Sequence, residues 1–248
     1  MAASPFIDTI NDLTMPKKEK IQQMFDGIAT DYDRLNHIMS LGIDRSWRRR
    51  AIKEIVCADS AQEILDIACG TGDFSIAIAK AMGPASHVTG VDISEGMLAV
   101  MREKLDAEGL EDRVGCGQGD SEAMGFADAS FDRAAIAFGI RNFEHREKAL
   151  REILRVLKPG GKLVILELSV PSNPVIRWFY KLYFTGILPL IGGRISGDKA
   201  AYSYLPASVL NFPGKKEWMA TMAACGYAEV RHKAFTLGIC RMYVGVKP

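Results

Sequence analysis

A short glycine-containing stretch, Glu63–Phe74, carries the residues best placed to do chemistry. An apolar run ends there in Cys69–Gly72, and apolar residues at helical spacing follow it. This order is typical of a buried strand, a tight turn and a helix, which together form a nucleotide-binding corner. Gly70 and Gly72 are candidate binding residues, because glycines let the backbone approach a ligand and the start of a helix offers free N–H groups.

Acidic residues around this corner narrow the choice of ligand. Ser75 occupies the position where a dinucleotide-binding fingerprint has its third glycine. Asp73 at the start of the helix would repel a pyrophosphate, and Asp66 adds a second acid inside the strand. Asp92 ends the next apolar run, about twenty residues after Gly72, where an acid usually binds ribose hydroxyls. A ligand with a ribose, a positive charge and no phosphate is S-adenosylmethionine, and the alternative is an ordinary strand–turn–helix with surface acids.

Polar groups also follow two later predicted strands, at the edge of the sheet where ligands bind in folds of this kind. Asp120 and Ser121 are placed to contact an adenine ring, although Asp120 also suits a plain turn or helix cap. Arg141 and Asn142 follow the next strand. A phenol has a pKa of about 10, so methylation of an aromatic ring carbon needs help to ionise the ring hydroxyl.

Arg141 is the candidate for that help, since a nearby cation favours the phenolate, and Asn142 is a candidate donor to the ring oxygen. The alternative for Arg141 is an ion pair at the sheet edge. Tyr202 is a third candidate catalytic residue, because it brings a phenolic hydroxyl from a later segment.

Composition disfavours several classes of protein. A net charge of +1 on 248 residues gives no general basicity that would indicate nucleic acid as a partner. Five cysteines without a CxxC pair, and four scattered histidines, predict free thiols and no metal site. The first ten residues lack the basic start and long apolar core of a signal peptide, so we expect a cytoplasmic protein.

The spacing of apolar residues predicts an α/β fold. Strands are expected over 63–68, 87–92, 113–118, 131–138 and 162–168, with helices over 73–82, 94–108 and 145–157. This alternation implies a parallel sheet with helices on both faces. A last helix over 215–225 precedes strands at 228–233 and 240–246, and the short link between these strands makes an antiparallel hairpin at the edge.

The chain is expected to have two parts. Residues 1–56 form an N-terminal helical arm that is available as a lid over the cofactor, and the apolar spacing over 17–32 predicts its first helix. Residues 57–248 form the core, with an insertion at 170–212 that interrupts the alternation of strands and helices and is expected to bind substrate.

Within the insertion, residues 174–195 are the most aromatic stretch of the chain. Lys181 and Pro189 interrupt it, so it is not expected to span a membrane. Its aromatic residues, with Arg177, Lys181 and Arg194 at the rim, fit a pocket for a hydrophobic substrate taken from a bilayer surface. Simple packing of an inserted helix against the domain is the equal alternative.

Three stretches resemble the ubiquinone/menaquinone biosynthesis C-methyltransferase family. They are YDRLNHIMSLGIDRSW at 32–47, RN followed by KALREILRVLKPGG within 141–161, and YSYLPASVLNFP at 202–213. The resemblance implies a Rossmann-like class I methyltransferase fold with seven strands in the order 3-2-1-4-5-7-6. It implies transfer of a methyl group from S-adenosylmethionine, as co-substrate, to a ring carbon of a prenylated quinol.

By the same resemblance, Thr71, Asp92, Asp120 and Ser121 should contact the cofactor. Some family members have a serine where this chain has Ala137, and that hydroxyl contact is lost here.

Demethylmenaquinol is the acceptor that we expect, and other functions stay open at this point. They are the same reaction on a benzoquinol precursor of ubiquinone, methylation of another apolar acceptor, a nicotinamide-dependent reductase and a non-catalytic cofactor-binding subunit. Ser75 and Asp73 disfavour the reductase, while Arg141 and Asn142 disfavour the non-catalytic subunit. A homodimer and peripheral contact with the inner face of a membrane are left open.

Overall fold

A computed structural model describes residues 17–30, 32–40, 42–57, 60–183, 186 and 199–248, without the side chains of 35, 37–39, 181 and 199–203. The elements in chain order are α1 Lys17–Ile28, α2 Tyr32–Ser40, α3 Asp44–Ile55, β1 Glu63–Ile67, α4 Asp73–Ala81, β2 His87–Asp92, α5 Glu95–Glu108, β3 Val114–Gln118, β4 Phe131–Ala137, α6 Arg146–Val156, β5 Leu157–Leu168, α7 Pro174–Leu182, α8 Lys199–Leu210, α9 Lys215–Ala224, β6 Ala228–Phe235 and β7 Cys240–Val246. Single 3₁₀ turns lie at Ile140–Asn142 and Thr236–Gly238.

The strands form one seven-stranded sheet in the order β3-β2-β1-β4-β5-β7-β6. The pairs from β3 through β5 are parallel, while β7 is antiparallel to both β5 and β6. The predicted α/β class, strand order and antiparallel edge are confirmed. The strand order reverses between β1 and β4, and ligands in such sheets bind in the crevice beyond the carboxyl ends at that point.

Apolar residues cover both faces of the sheet, and β5 shows how the sequence achieves this. Val164 and Leu166 belong to the cluster that packs with α3, α4 and α5, whereas Leu163 and Ile165 belong to the cluster that packs with α6 and α9. Successive side chains of a strand point to opposite faces, so a continuous apolar run supplies both layers. Within Leu163–Leu168 the one polar residue is Glu167, and it is fully buried.

The N-terminal helices attach to the core in two ways. In α3, Trp47 and Ile55 are buried in the apolar cluster on one face of the sheet. In α1, the Asp26 carboxylate accepts hydrogen bonds from Ser94 Oγ (2.6 Å) and Gly96 N (3.0 Å) at the start of α5. The segment expected to act as a lid is therefore anchored at the carboxyl edge of the sheet.

Two predicted boundaries were wrong for local reasons. The helix predicted over 17–32 ends at Ile28, and a separate helix begins at Tyr32. Strand β5 begins at Leu157 rather than at 162, because Leu157 already pairs with Phe131 before the register shifts. The glycine pair Gly160–Gly161 lies inside this strand, and Gly160 has a φ of +73°.

A pair of tyrosines tests how the core tolerates buried hydroxyls. The Tyr243 hydroxyl is buried without a hydrogen-bond partner among the described residues, while that of Tyr227 donates to Leu150 O at 2.9 Å. An unsatisfied buried polar group costs about 1–3 kcal/mol, and a made hydrogen bond contributes about 1 kcal/mol. Tyr243→Phe should raise the free energy of unfolding by about 1 kcal/mol, and Tyr227→Phe should lower it by a similar amount.

Urea denaturation of the two variants and the unchanged protein measures both effects. A Tyr243→Phe variant that is less stable than the unchanged protein would show that its hydroxyl has a partner.

Candidate active site

The turn after β1 is shaped by two glycines. Gly70 has a φ of +56° and Gly72 a φ of +83°, in the left-handed region that glycine adopts without strain. A Cβ at Gly72 would lie 2.5 Å from Met101 Cγ of α5, so a side chain there would displace the neighbouring helix. Gly72 is also the N-cap of α4, and the turn therefore brings its backbone and the start of that helix together.

Asp92 holds this turn against the next strand. Its Oδ2 accepts from Gly70 N (2.9 Å) and its Oδ1 accepts from Ser94 N (2.9 Å). Burial raises the pKa of Asp92, which these backbone donors oppose. An ionised carboxylate has about four acceptor sites, so Asp92 can position the turn and still accept ribose hydroxyls.

Asp66 is the most perturbed acid at the carboxyl edge. Ser75 Oγ donates to its Oδ2 at 2.6 Å, while its Oδ1 is buried without a hydrogen-bond partner among the described residues. Burial raises the pKa of Asp66 to about 7. Asp66, Thr71 and Arg48 lie around a small cavity under the turn, which we call the Asp66 cavity. A buried acid with an open acceptor there suits a ligand that carries an ammonium group.

A larger hollow, the strand-end cavity, lies beyond the carboxyl ends of β1, β2 and β4. It brings together the predicted site residues Gly70, Asp92, Asp120, Ser121 and Asn142. Its other lining residues include Lys18, Ile21, Phe25, Tyr32, Ile67, Val91, Met97, Ala137, Phe138 and Phe143. An apolar pocket with a few convergent polar groups is the form expected of a small-molecule site, and these residues fit an adenosine.

Asp120 is engaged by α1. Lys18 Nζ donates to its Oδ2, and Glu122 N donates to its Oδ1 at 3.0 Å. Burial alone would raise the pKa of Asp120, but the hydrogen bonds from Lys18 and Glu122 outweigh it and lower the pKa. Asp120 therefore acts as a turn acid, which was the alternative to adenine binding, and it also lines the strand-end cavity.

Thr71 lies on the other side of the glycine turn. Its Oγ1 donates to Asp33 Oδ1 of α2 at 2.5 Å, and it lines the Asp66 cavity rather than the strand-end cavity. Gly72, the other glycine of the turn, lines neither of these two cavities.

A third hollow, the aromatic cavity, adjoins the strand-end cavity. Tyr32 and Phe138 line both. Its other lining residues are Asn36, Ser40, Ile43, Asp44, Trp47, Arg48, Arg141, Leu168, Tyr180, Tyr183, Leu205, Thr236 and Ile239. A polar donor site and an apolar acceptor site that meet at two residues are suited to group transfer with water excluded.

Arg141 lies at the wall of the aromatic cavity and is held there by Glu167. Its Nη1 donates to Glu167 Oε1 at 2.9 Å, and its backbone N donates to Glu167 Oε2 at 3.1 Å. Nε donates to Ser208 Oγ at 3.2 Å, and Nη1 also donates to Phe138 O. Burial alone would lower the pKa of Arg141, but the charge of Glu167 raises it. The sequence-based alternative of an ion pair is therefore present, and the guanidinium is both charged and fixed.

Asn142 and Tyr204 form a second polar pair. Tyr204 Oη donates to Asn142 Oδ1 at 3.0 Å, and burial raises the pKa of Tyr204 to about 12. The predicted catalytic side chain, that of Tyr202, lies outside the described residues, so its role stays a prediction. Tyr204 follows it in the same helix, and the tyrosine-rich sequence was the signal for both.

Three residues of the site were not predicted from the sequence. Tyr32 and Phe138 join the two cavities, and Glu167 fixes Arg141. Glu167 had a signal, because a single acid interrupts the apolar run of β5. Nothing in the spacing of Tyr32 indicated that it would reach the end of β1.

Comparisons with known proteins agree with this arrangement. The model of the ubiE/COQ5 methyltransferase family matches residues 13–247. A protein of Bacteroides fragilis named demethylmenaquinone methyltransferase is 44% identical over 231 residues, which is 93% of this chain and 94% of that protein. A protein of Geotalea daltonii named ubiquinone/menaquinone biosynthesis C-methyltransferase is 46% identical over 231 residues, 93% of this chain and 97% of that protein.

Solved structures share the fold at low identity. The crystal structure of a SAM-dependent methyltransferase from Aquifex aeolicus has a TM-score of 0.59 at 18% identity, and covers 81% of this chain and 89% of that chain. This likeness supports the Rossmann-like class I fold.

Stability should depend on pH through Asp66. Its pKa of about 7 exceeds the ordinary 3.8, so the folded state binds this proton more tightly than the unfolded state. Asp66 therefore makes its most favourable contribution below pH 4, and this contribution declines as the pH rises to about 7. Since one pKa unit corresponds to about 1.4 kcal/mol, we expect a decline of about 2 kcal/mol after allowing for relaxation.

Asp66→Asn should remove this decline and still accept from Ser75, whereas Asp106→Asn, at an exposed carboxylate of α5, should keep it. Urea denaturation at pH 5 and pH 8 measures both variants. The same pH dependence in the unchanged protein and in Asp66→Asn would contradict the assignment.

Proposed function

Since this chain belongs to the ubiE/COQ5 methyltransferase family, we propose that it transfers the methyl group of S-adenosylmethionine to a ring carbon of demethylmenaquinol. The observation that carries the proposal is the junction of the strand-end cavity with the aromatic cavity at Tyr32 and Phe138. The name of the relative at 44% identity includes demethylmenaquinone, and the name of the relative at 46% identity includes menaquinone biosynthesis. The products would be menaquinol and S-adenosylhomocysteine, because the S–CH3 bond breaks as the C–CH3 bond forms and the ring carbon then releases its proton to solvent.

The residues that would hold S-adenosylmethionine line the strand-end and Asp66 cavities. Asp92 would bind the ribose, Asp120 and Ser121 the adenine, and Asp66 with Thr71 the methionine end. When bound, this co-substrate supplies a methyl group that its sulfonium has already activated. The protein then needs mainly to align the acceptor and exclude water, which the apolar lining of the aromatic cavity supports.

Arg141 would ionise the acceptor. A ring hydroxyl near its guanidinium would have a lowered pKa, because a close cation favours the phenolate. The guanidinium itself is too basic to take the proton, so we assign the proton to a water bridging to Arg141. Asn142 would donate through its amide nitrogen to the ring oxygen, since its Oδ1 already accepts from Tyr204. Glu167 holds Arg141 and acts as a positioning residue.

The same reaction on a benzoquinol precursor of ubiquinone is a second candidate, because the name of the Geotalea relative includes both quinones. The aromatic cavity provides apolar and aromatic walls that suit either ring.

Turnover with both acceptors tests the proposal. Reduced demethylmenaquinone and a reduced demethylated ubiquinone precursor, each with a short tail, would be offered side by side with S-adenosylmethionine. We expect methylated naphthoquinol and a kcat/KM at least tenfold lower for the benzoquinol. The benzoquinol lacks the second ring, and the loss of a small apolar contact costs about 1–3 kcal/mol. Methylation of neither acceptor, with S-adenosylmethionine still bound, would contradict the proposal.

Replacing Arg141 tests its role in ionisation. Arg141→Gln should keep affinity for S-adenosylmethionine and lower kcat at pH 7 by about a hundredfold or more, as expected for loss of assisted proton removal. Because a phenol ionises unaided near pH 10, kcat of the variant should recover partly as the pH approaches that value.

Arg146→Gln is the matched control. Arg146 contacts the same turn through the carbonyls of Ile140 and Arg141, and it does not line the aromatic cavity. Equal losses in both variants, without recovery at high pH, would show that Arg141 acts on structure alone.

A further inference from the structure

Helix α7 exposes an unusually apolar face. Val175, Trp178, Phe179 and Leu182 are 63%, 61%, 60% and 50% exposed, respectively. Their spacing of i, i+3, i+4 and i+7 places them on one side of the helix. A contiguous exposed apolar patch on a protein surface marks a site of interaction. None of the described helices is long and apolar enough to cross a bilayer.

The other sides of α7 connect this face to the aromatic cavity and to a cluster of cations. Tyr180 and Tyr183 line the aromatic cavity. Arg177 of the same helix lines a groove between the segment after β5 and the start of α9, and its guanidinium donates to Pro171 O and Ser172 O, each at 3.0 Å. The helix that carries the exposed face therefore also supplies part of the wall of the proposed acceptor site.

This groove, which we call the basic groove, is strongly cationic. Its polar lining includes Ser169, Ser172, Arg177, Lys215, Lys216 and Arg241. One acid, Glu217, also lines it. Gly214 precedes α9 there without a side-chain cap, so the free N–H groups at the helix start add to the positive potential.

Arg241 is a buried cation that pairs with no carboxylate of the described residues. It is 5% exposed, and no carboxylate of the described residues lies within 4.0 Å of its guanidinium. Its contacts are Ser172 Oγ (3.2 Å) and a ring nitrogen of His232 (3.4 Å). Glu167, its partner across β5 and β7, is already engaged by Arg141. A buried charge is costly unless it is paired, so the groove favours an anion.

The charge pattern of the sequence supports the same ligand chemistry. Residues 168–197 contain no aspartate or glutamate, but include Arg177, Lys181 and Arg194. The segment thus carries three positive charges in a chain of net charge +1. Aromatic residues interleaved with basic ones are the composition of helices that lie in the interface of anionic membranes.

We propose that the exposed face of α7 and the basic groove form one docking surface for a bilayer of anionic phospholipids. Lipid phosphates occupy the groove, and Trp178 and Phe179 enter the interface. The inference extends the proposed function, because a prenylated quinol resides in a bilayer and the docked surface borders the aromatic cavity. Docking itself involves no acceptor, so it is measurable independently of methyl transfer.

Tryptophan fluorescence with vesicles tests docking directly. Trp47 and Trp218 are only 5% and 1% exposed, so a response arises from Trp178. Mixed phosphatidylcholine–phosphatidylglycerol vesicles should shift the emission to the blue, protect it from acrylamide and allow quenching by brominated acyl chains. Vesicles of phosphatidylcholine alone should bind much more weakly, and added salt should weaken binding to the anionic vesicles.

Paired variants locate the surface. Lys215→Gln with Lys216→Gln should weaken partitioning into the anionic vesicles about tenfold or more, because each basic residue near the surface contributes to the attraction. Arg49→Gln with Lys53→Gln removes the same charge from exposed positions of α3, which packs on the other face of the sheet, and should change partitioning by less than about twofold. Trp178→Phe should keep binding, whereas Trp178→Ser with Phe179→Ser should lose it.

Three results would overturn the proposal. They are equal partitioning into neutral and anionic vesicles, an equal loss in the two charge variants, and binding that leaves Trp178 open to acrylamide. Self-association that shields Trp178 without vesicles would assign the face to a second copy of the chain. Turnover of a short-tail acceptor without vesicles tests the proposed function separately, so a failure there leaves the docking result intact.

Discussion

The close approach of two backbone segments at the carboxyl ends of β1 and β4 is the constraint on which the site depends. A Cβ at Gly139 would lie 2.6 Å from Ala68 Cβ, so the two turns meet there without room for a side chain. Ala68 and Phe138 both adopt positive φ, of 55° and 63°, at the ends of their strands. Such backbone is tolerated where the surroundings over-determine it, and it often lies at ligand sites. This approach places the glycine turn on one side and Arg141 on the other side of the boundary between the strand-end cavity and the aromatic cavity.

The charged residues on the two sides of that boundary are buried, and they differ in sign. On the side of the methyl donor, the buried acids Asp66 and Asp92 have raised pKa values and would face a cationic ligand. On the side of the acceptor, the charge of Arg141 is paired with that of Glu167. A buried arginine without a carboxylate partner would destabilise the fold. The acceptor site therefore needs Glu167 as well as Arg141. The pair leaves a fixed charge whose position does not change as a ring enters.

The spacing of apolar residues predicted most helices and strands, but it did not predict contacts between residues far apart in the sequence. The predicted bounds of β2 and β7 agree with the structure, and Ser94 caps α5 by accepting from Met97 N at 3.1 Å. These features depend on residues close in sequence. The contact of Lys18 with Asp120 joins residues 102 positions apart, and the entry of Tyr32 into the boundary depends on how α2 docks. Such contacts arise from packing, which apolar spacing does not encode.

A crystal structure with S-adenosylhomocysteine and a reduced short-tail acceptor would test the central claim, that methyl donor and acceptor meet at Tyr32 and Phe138. The account predicts adenosine in the strand-end cavity, the quinol ring in the aromatic cavity, and a ring carbon that faces the sulfur across these two residues. A ring bound outside the aromatic cavity, or a sulfur directed away from Phe138, would contradict it.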